Sequence, residues 1–304
     1  MALIAFSVNH QRPEAVALAE RTARWLEENG HRSTSIEENG HRSTSIEENG
    51  HTSTSIEENG HTSTSIGGAE GHLSLDGAEL LVSLGGDGTL LRSVDAALGR
   101  GIPVLGVNIG RLGFLTQIEP AGLEDALSAF LAGTHQVEER MTLSVTVTGP
   151  DGSVTVRRIA LNEATVEKTV PGHTVRVAAL IDGRPFVTYA ADGLLVATPT
   201  GSTAYNLSAR GPVLSPRLRA LVVTPVSPHM LFDRPLVLDP EERLRLEVLE
   251  PRPAVLVVDG VTVATLQPGS VVDCVEGDRP ARLVTVGPRN FHAILRAKFH
   301  LSDR

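Results

Sequence analysis

The sequence predicts an α/β N-terminal domain with an open, mostly parallel sheet, followed by a β-rich, β-sandwich-like C-terminal domain. Apolar runs of strand type alternate with amphipathic helical patterns through the first part of the chain. After that part, short period-two strands are separated by turn signals such as Gly149-Pro150-Asp151-Gly152. We expect domains at 1–138 and 139–287, and a C-terminal segment, 288–304, that packs back on the first domain.

The composition narrows the class of protein. No apolar run reaches the ~18 residues that a membrane-spanning helix needs, so we expect no membrane partner. The formal net charge of -9 argues against a broad nucleic-acid surface. The chain has one cysteine, Cys274, which cannot form an internal disulfide. This usage fits a reducing compartment, and we expect a cytoplasmic protein.

The first domain is predicted to begin with a buried strand at 3–8 and an amphipathic helix at 12–29. A ten-residue sequence is then repeated four times between residues 27 and 66. One copy, 27–36, supplies a helix end and a strand, and the other copies are expected to form a loop excursion. Metal binding by the four regularly spaced histidines, or an artefact of cloning or assembly, are the alternatives.

Strand and helix patterns continue on both sides of a glycine-rich turn. The predicted elements are a strand from Leu80, a helix at 90–98, a strand at 102–108, a loop at 110–116 and a helix at 123–131. Ligands of open α/β sheets bind at the carboxyl ends of strands. The segments 85–89 and 108–116 both lie at such ends.

Period-two patterns define the strands of the second domain. They are predicted at 143–148, 154–159, 175–181, 221–224, 244–249, 254–258 and 271–275, with a further short buried strand after Asp192-Gly193. The last stretch, Phe291 to Phe299, has a partly helical pattern.

The turn Gly85-Gly86-Asp87-Gly88-Thr89 carries the strongest chemical signal of the first domain. Its glycines allow close approach of a ligand, and successive backbone N–H groups before a helix make a concave anion site. A carboxylate inside this site could hold a metal ion, or could accept a proton from an attacking hydroxyl. A tight turn in which Asp87 caps the helix is the alternative.

Two polar patches interrupt the β pattern of the second domain. Asn162 and Glu163 together can bind the hydroxyls of a sugar or the edge of an adenine, although a turn or an edge pair would also explain them. The segment 198–208 is a Thr/Pro/Gly/Ser-rich turn that opens into a short helix, which favours phosphate or carbonyl oxygens. Tyr205 offers a stacking face. An ordinary capped turn is the alternative for this segment.

These motifs, in this order, closely resemble those of the bacterial NAD kinases. The resemblance rests on Gly85–Thr89, Gly106–Leu115, Leu161-Asn162-Glu163, and Asp192-Gly193 through Thr198–Tyr205. It implies transfer of a phosphoryl group from ATP or polyphosphate to the adenosine ribose 2′-hydroxyl of NAD, giving NADP. It also implies Mg²⁺ or another divalent cation as cofactor, and assembly as a homodimer or homotetramer.

The resemblance assigns roles to residues by position. Asp87 would be the catalytic general base, and Gly85, Gly86, Gly88 and Thr89 would contact the phosphate donor. The residues implied in NAD binding are Asp87, Gly88, Arg92, Phe114, Asn162, Glu163, His173, Ala190, Asp192, Thr203, Ala204, Tyr205, Asn206, Leu207 and Ser208. No metal ligand is assigned.

Two other functions compete with this interpretation. A lipid kinase of the diacylglycerol type shares the Gly-Gly-Asp-Gly turn, and a non-catalytic NAD(P)-binding sensor would share the binding residues. The chain also departs from the family pattern at two positions. Arg210 stands where relatives usually have glycine, and Val261 follows Asp259-Gly260 where relatives often have glutamine.

Overall fold

The computed structural model describes residues 1–37, 75–110, 113–116, 118–287 and 290–301. The first copy of the ten-residue repeat is among them. The other three copies, apart from Glu37, lie outside the described residues, and so do the predicted loop excursion and three of the four histidines of the alternative metal site.

The described part of the chain forms five α-helices and eighteen strands. The helices are α1 (Pro13–Glu28), α2 (Asp87–Leu98), α3 (Leu123–Leu131), α4 (Tyr205–Ser208) and α5 (Phe291–Phe299). The strands are β1 (Leu3–Val8), β2 (Arg32–Glu37), β3 (Leu80–Gly85), β4 (Val104–Asn108), β5 (Gln136–Arg140), β6 (Leu143–Thr148), β7 (Val154–Ala160), β8 (Glu163–Lys168), β9 (Val175–Ile181), β10 (Arg184–Ala191), β11 (Gly193–Ala197), β12 (Leu221–Val226), β13 (Leu236–Leu238), β14 (Leu244–Val248), β15 (Ala254–Val258), β16 (Val261–Leu266), β17 (Val271–Glu276) and β18 (Ala281–Thr285). None of the described helices is long and apolar enough to cross a membrane.

The first sheet has the strand order β2-β1-β3-β4-β18-β5. All neighbours are parallel except β18 and β5, so the predicted open, mostly parallel sheet is confirmed. Every residue of β3 is buried, as expected for a parallel strand covered on both faces. Apolar residues of α1 and α3 form one buried cluster with β1, β3 and β4, and those of α2 form a second cluster on the other face.

The second domain consists of two six-stranded antiparallel sheets. Their strand orders are β10-β9-β14-β17-β6-β7 and β13-β12-β11-β8-β15-β16. Alternate residues of both sheets enter one buried apolar cluster, in which Leu143, Val177 and Leu244 of the first sheet join Val166, Val196 and Leu256 of the second. The β-sandwich-like C-terminal domain is therefore confirmed.

Strand β18 shows how the chain joins its two parts. It follows the sandwich in sequence, within the predicted 139–287 segment, yet it pairs with β4 and β5 in the first sheet. The domain boundaries themselves stay a prediction. Helix α5 follows β18, and the Phe299 ring lies 6.3 Å from the Phe114 ring of the loop after β4.

Helix α2 begins three residues before the predicted start at Leu90, because Asp87 is its first residue. A carboxylate in the first turn is favourable for the helix dipole, which offsets the weak helix propensity of Gly88. The sequence patterns did not predict β5, β8, β10, β13, β16 or β18 as strands.

Candidate active site

The glycine-rich turn lies where the first sheet changes direction. Strand β1 connects through α1 to β2 on one side, and β3 connects through α2 to β4 on the other, with α1 and α2 on opposite faces. A crevice at such a switch point is the usual ligand site of open α/β sheets. Two backbone hydrogen bonds join the residues after β1 and β4 to the end of β3: Asn9 N–H donates to Leu84 O (3.1 Å) and Ile109 N–H donates to Gly85 O (3.0 Å).

The Asp87 carboxylate is held by the backbone of a neighbouring loop. Its Oδ2 accepts a hydrogen bond from Phe114 N–H (2.7 Å). Its Oδ1 accepts from Leu115 N–H (3.0 Å), Thr116 N–H (3.1 Å) and Thr116 Oγ1 (3.3 Å). The N-cap of α2 is Gly86, which makes no side-chain cap bond. The hydrogen bonds from the 113–116 loop therefore orient the carboxylate. The structure does not bear out the alternative in which Asp87 caps its helix.

The 113–116 loop fits closely around this carboxylate. A Cβ at Gly113 would collide with Asp87 Oδ1, so only glycine allows the approach. Thr116 is fully buried, and its Oγ1 also lies 3.5 Å from Asn108 Oδ1 at the end of β4. Asp87 is thus tied both to the loop and, through Thr116, to the neighbouring strand.

The hydrogen-bond pattern leaves one acceptor position of Asp87 open. Each of the two oxygens of a carboxylate offers about two lone-pair positions. Oδ1 accepts three hydrogen bonds and Oδ2 accepts one among the described residues. Oδ2 is therefore the oxygen that can receive a proton from a ligand hydroxyl.

A second carboxylate, Asp259, organises the facing part of the site. It lies in the β15–β16 turn with a positive φ of 46°. Its oxygens accept hydrogen bonds from the backbone N–H groups of Leu161 (2.7 Å), Asn162 (2.8 Å) and Glu163 (3.0 Å). Burial raises the pKa of Asp259. The sequence motifs do not include this residue, because Asp259-Gly260 enters them only as the dipeptide before Val261.

Glu163 is a buried acid at the start of β8. Burial, and secondarily the nearby Asp259, raise its pKa to about 8, against a hydrogen bond from Tyr205 N–H that lowers it. Its side-chain Oε2 has no hydrogen-bond partner among the described residues. Glu163 is therefore protonated at neutral pH and can donate a hydrogen bond to a ligand. This suits a hydrogen-bond acceptor atom of a nucleoside.

The Thr198–Ser202 turn packs directly on Asn162. Thr198 N–H donates to Asn162 O (2.9 Å), and Thr198 Oγ1 donates to Leu161 O (2.6 Å). A Cβ at Gly201 would collide with the carbonyl group of Asn162, so the close contact requires glycine there. The two polar patches of the second domain thus form one unit.

Tyr205 lies near three carboxyl groups of the second domain. The pKa of the Tyr205 hydroxyl is raised by burial and by the neighbouring carboxylates Glu167, Asp192 and Glu163. Asp192 Oδ1 lies 2.7 Å from Lys168 Nζ, in an ion pair that no sequence motif indicates. The structure therefore brings Glu163, Asp192 and Tyr205 together.

The Asn206 side chain makes hydrogen bonds inside the protein. Its amide donates to Ser202 O (3.2 Å) and Pro212 O (3.0 Å), and its Oδ1 accepts from Thr224 Oγ1 (2.7 Å). Asn206 is fully buried. In this arrangement it shapes the 201–212 segment, and its direct contact with NAD stays a prediction.

The other residues implied in binding lie at several depths. Ser208 is exposed beside half-buried Thr203, Ala204 and Leu207, and Arg92 is exposed with its Nη2 3.4 Å from Thr89 Oγ1. Ala190 O accepts a hydrogen bond from His229 N–H (2.7 Å), and His173 is exposed between β8 and β9. These contacts do not show a direct role in the site for His173 or Ala190.

The two halves of the site meet through apolar contacts. Leu161, next to Asn162, packs in the same buried cluster as Leu90 of α2 and Leu115 of the 113–116 loop. Buried Arg140 of β5 adds a polar link, because its Nη1 lies 3.2 Å from Thr200 Oγ1 and its Nη2 lies 3.1 Å from Glu138 Oε2. The Asp87 loop and the Asn162-Glu163 junction therefore share one interdomain contact.

The described residues contain no group of three or more His, Cys, Asp or Glu side chains that could hold a metal ion. The Asp87 carboxylate already accepts four hydrogen bonds from the 113–116 loop. The described residues therefore do not fit a metal site of their own.

The first sheet carries, at its switch point, a glycine-rich turn that can bind an anion and an oriented carboxylate. A polar edge of the sandwich faces this turn. This arrangement defines a phosphotransferase that acts on a nucleotide. Sequence comparison agrees with this class. The ATP-NAD kinase N-terminal domain matches residues 4–135, and the ATP-NAD kinase C-terminal domain matches residues 161–286. The chain belongs to the NAD kinase family.

Curated relatives and solved structures resemble the chain over most of its length. An NAD kinase of Moorella thermoacetica is 44% identical over 222 residues, which are 73% of this chain and 71% of the relative. An NAD kinase of Nocardia farcinica is 43% identical over 226 residues, 74% of this chain and 69% of the relative. These relatives do not support a lipid kinase or a sensor.

Two solved structures share the fold. Yeast NADH kinase complexed with NADH has a TM-score of 0.82 and 20% identity, covering 100% of this chain and 89% of the yeast chain. An NAD kinase from Archaeoglobus fulgidus in complex with ATP has a TM-score of 0.67 and 23% identity, covering 98% of this chain and 97% of the other.

Proposed function

We propose that the chain is an NAD kinase that transfers the γ-phosphoryl group of ATP to the adenosine ribose 2′-hydroxyl of NAD, giving NADP. The observation that carries this proposal is the Asp87 carboxylate, fixed at the switch point with Oδ2 open to a hydroxyl. The family and the curated relatives support it.

Asp87 is the general base of the proposed reaction. The 2′-hydroxyl gives its proton to Asp87 Oδ2 as its oxygen attacks the γ-phosphorus of ATP. The bond between that phosphorus and the β,γ-bridging oxygen breaks, and ADP leaves with the electron pair. Asp87 then returns the proton to water. The 113–116 loop keeps the carboxylate in place, so positioning contributes together with proton transfer.

The second domain is proposed to bind the dinucleotide. Asn162 and protonated Glu163 hold the adenosine end, while Asp192 and Tyr205 contact the rest of the molecule. The remaining proposed contacts are Gly88, Arg92, Phe114, His173, Ala190, Thr203, Ala204, Asn206, Leu207 and Ser208 for NAD, and Gly85, Gly86, Gly88 and Thr89 for the donor.

The proposed donor is ATP in its complex with Mg²⁺ or another divalent cation, and polyphosphate is the alternative donor. The ATP complex of the Archaeoglobus fulgidus NAD kinase supports ATP. Since the described residues form no metal site of their own, the cation is proposed only as part of the substrate, and no step above depends on it.

A coupled assay tests the proposal. Purified protein is mixed with NAD, Mg²⁺ and either ATP or polyphosphate, and NADP is measured with an NADP-specific dehydrogenase. We expect NADP in the ATP tube. In Asp87→Asn we expect turnover to fall ~10²–10⁴-fold with NAD binding retained, because the general base is lost.

Asp182→Asn serves as the matched control, because Asp182 lies in the exposed β9–β10 turn and an asparagine tolerates its φ of 49°. It should keep full activity. Unchanged turnover in Asp87→Asn would remove Asp87 from the role of base. No NADP with either donor, from folded protein, would exclude the kinase, and a variant without residues 37–66 would show whether the repeat had disabled it.

We also propose that the enzyme is a cytoplasmic homodimer or homotetramer. The resemblance to bacterial NAD kinases supports the assembly, and the single buried cysteine is compatible with a reducing compartment. Light scattering of the purified protein measures the oligomer, and fractionation of producing cells measures the location.

A further inference from the structure

We propose that Lys298, in the last turn of α5, binds a phosphate oxygen of the nucleotide substrates. This inference rests on the proposed function and extends it, because the family motifs discussed above do not include α5. The phosphate could belong to the triphosphate of the donor or to the pyrophosphate of NAD. The chemistry of the contact is the same in both cases, namely an ammonium and a phosphate oxyanion.

Helix α5 brings Lys298 to the loop that holds Asp87. The helix starts at a capped N-terminus, where Asn290 Oδ1 accepts a hydrogen bond from Ala293 N–H (3.0 Å). At its other end Lys298 Nζ lies 4.8 Å from the centroid of the Phe114 ring. Phe114 N–H in turn donates to Asp87 Oδ2 at 2.7 Å. One residue therefore separates the ammonium from the proposed base.

The type of side chain is informative in this chain. Of 27 basic side chains only two are lysines, and both contact residues of the proposed site. Lys168 is paired with Asp192 at 2.7 Å. Among the described residues, the Lys298 ammonium lies over the Phe114 ring. A compact ammonium on a flexible stem can follow a phosphate during transfer better than a rigid guanidinium.

The contact of Lys298 with Phe114 is weak enough to be exchanged. A partly exposed cation–π contact is a weaker interaction than a charge-assisted hydrogen bond to a phosphate. The site also needs positive charge, because the substrates carry phosphates and the carboxylates Glu167 and Asp192 lie near Tyr205. An arriving phosphate would therefore draw the ammonium away from the ring.

Steady-state kinetics with each substrate varied in turn test the proposal. In Lys298→Gln we expect the KM of one substrate to rise about tenfold, the cost of one charge-assisted hydrogen bond. A rise for ATP identifies the donor's phosphates, and a rise for NAD identifies its pyrophosphate. Lys298→Arg keeps the charge and should stay within about threefold of the wild type.

Arg296→Gln is the matched control, because it removes a cation from the same last turn of α5. It should leave both KM values unchanged. If Arg296→Gln raises KM as much as Lys298→Gln, or if Lys298→Gln changes neither KM while wild type makes NADP, the proposal is overturned. Both results would leave the kinase assignment intact.

If the wild type makes no NADP, the proposed function fails and a binding measurement still decides on Lys298. Calorimetric titration with inorganic tripolyphosphate should then show several-fold tighter binding to the wild type than to Lys298→Gln. Equal binding to the two proteins, including no binding to either, would overturn the inference.

Discussion

At the scale of single residues, the site combines two carboxyl groups in different environments. Asp87 accepts four hydrogen bonds from the 113–116 loop, whereas Glu163 is buried with one oxygen that has no partner among the described residues. The first arrangement suits an ionised proton acceptor and the second suits a neutral donor. The first domain therefore supplies the proton acceptor, and the second domain supplies the hydrogen-bond donor.

Glu163 should make the stability of the protein depend on pH. The unfolded carboxyl loses its proton near its ordinary pKa of 4.5, while the folded one keeps it to about 8. Between these values the native state binds more protons, so stability falls as pH rises, by at most ~1.4 kcal/mol per pH unit from this group. Glu163→Gln removes this loss, and its stability relative to wild type should increase from about pH 4.5 to about pH 8.

Urea unfolding of both proteins across that range measures the difference. A stability difference that does not change with pH would show that Glu163 ionises in the folded protein at its ordinary pKa.

Local motifs made some site residues predictable, and long-range contacts hid others. Asp87 and Glu163 stand inside short recognisable motifs. The role of Asp259 depends on a hydrogen bond to Leu161, 98 residues away, and that of Thr116 depends on Asp87, 29 residues away. A sequence pattern that covers ten or twenty residues does not include both members of such a pair.

At the scale of elements, the short helix α4 shows what a departure from the family pattern does. After its C-cap, Ala209, the chain enters the left-handed region at Arg210, with a φ of 64°. Arg210 N–H donates to Leu207 O (3.0 Å) and Gly211 N–H donates to Asn206 O (2.8 Å). These are the two bonds of a Schellman motif, in which glycine is the usual residue at the left-handed position.

Arg210→Gly should therefore stabilise the protein. A non-glycine residue in the left-handed region costs of order 1–3 kcal/mol, and the entropy that glycine loses on folding offsets ~0.5–1 kcal/mol of the gain. We expect a net increase of ~1 kcal/mol in the free energy of unfolding, measured by urea denaturation. Arg210→Ala keeps the backbone strain and should give no gain. Equal gains in both variants would assign the effect to the arginine side chain instead.

Alternation of apolar residues decided which strands could be predicted. Strand β6, Leu143–Thr148, alternates buried and half-buried residues, and its prediction is confirmed. Strand β5, Gln136–Arg140, contains three charged residues, and β10 contains Pro185, so neither has the expected pattern. Both are terminal strands of their sheets, where such residues are tolerated.

At the scale of the whole molecule, the site depends on how the two domains are held together. The chain leaves the first sheet after β5, builds the sandwich, and returns through β18 to pair with β5. A charged residue at the end of β5 would ordinarily be predicted to be exposed. Arg140 is instead 1% exposed, because it binds Thr200 of the turn that packs on Asn162.

Arg140 should accordingly be critical for stability, and Glu138 offers a matched comparison. Glu138 pairs with buried Arg140 through Oε2 at 3.1 Å and with Arg217, 75% exposed, through Oε1 at 3.7 Å. Arg140→Met fills the space but leaves Glu138 and Thr200 without this partner, which should cost ~3–5 kcal/mol in the free energy of unfolding. Arg217→Met should cost no more than ~1 kcal/mol, since water screens an exposed pair.

Urea unfolding of the two variants measures the costs, and the KM for NAD measures the consequence for the site. Arg140 fixes the Thr198–Ser202 turn, so Arg140→Met should also raise that KM at temperatures where the protein is still folded. The physical reason is that Thr198 and Gly201 pack on Asn162, and a turn free to shift no longer holds that residue in place. Equal effects of the two substitutions would mean that the buried position of Arg140 adds nothing to the junction between the domains.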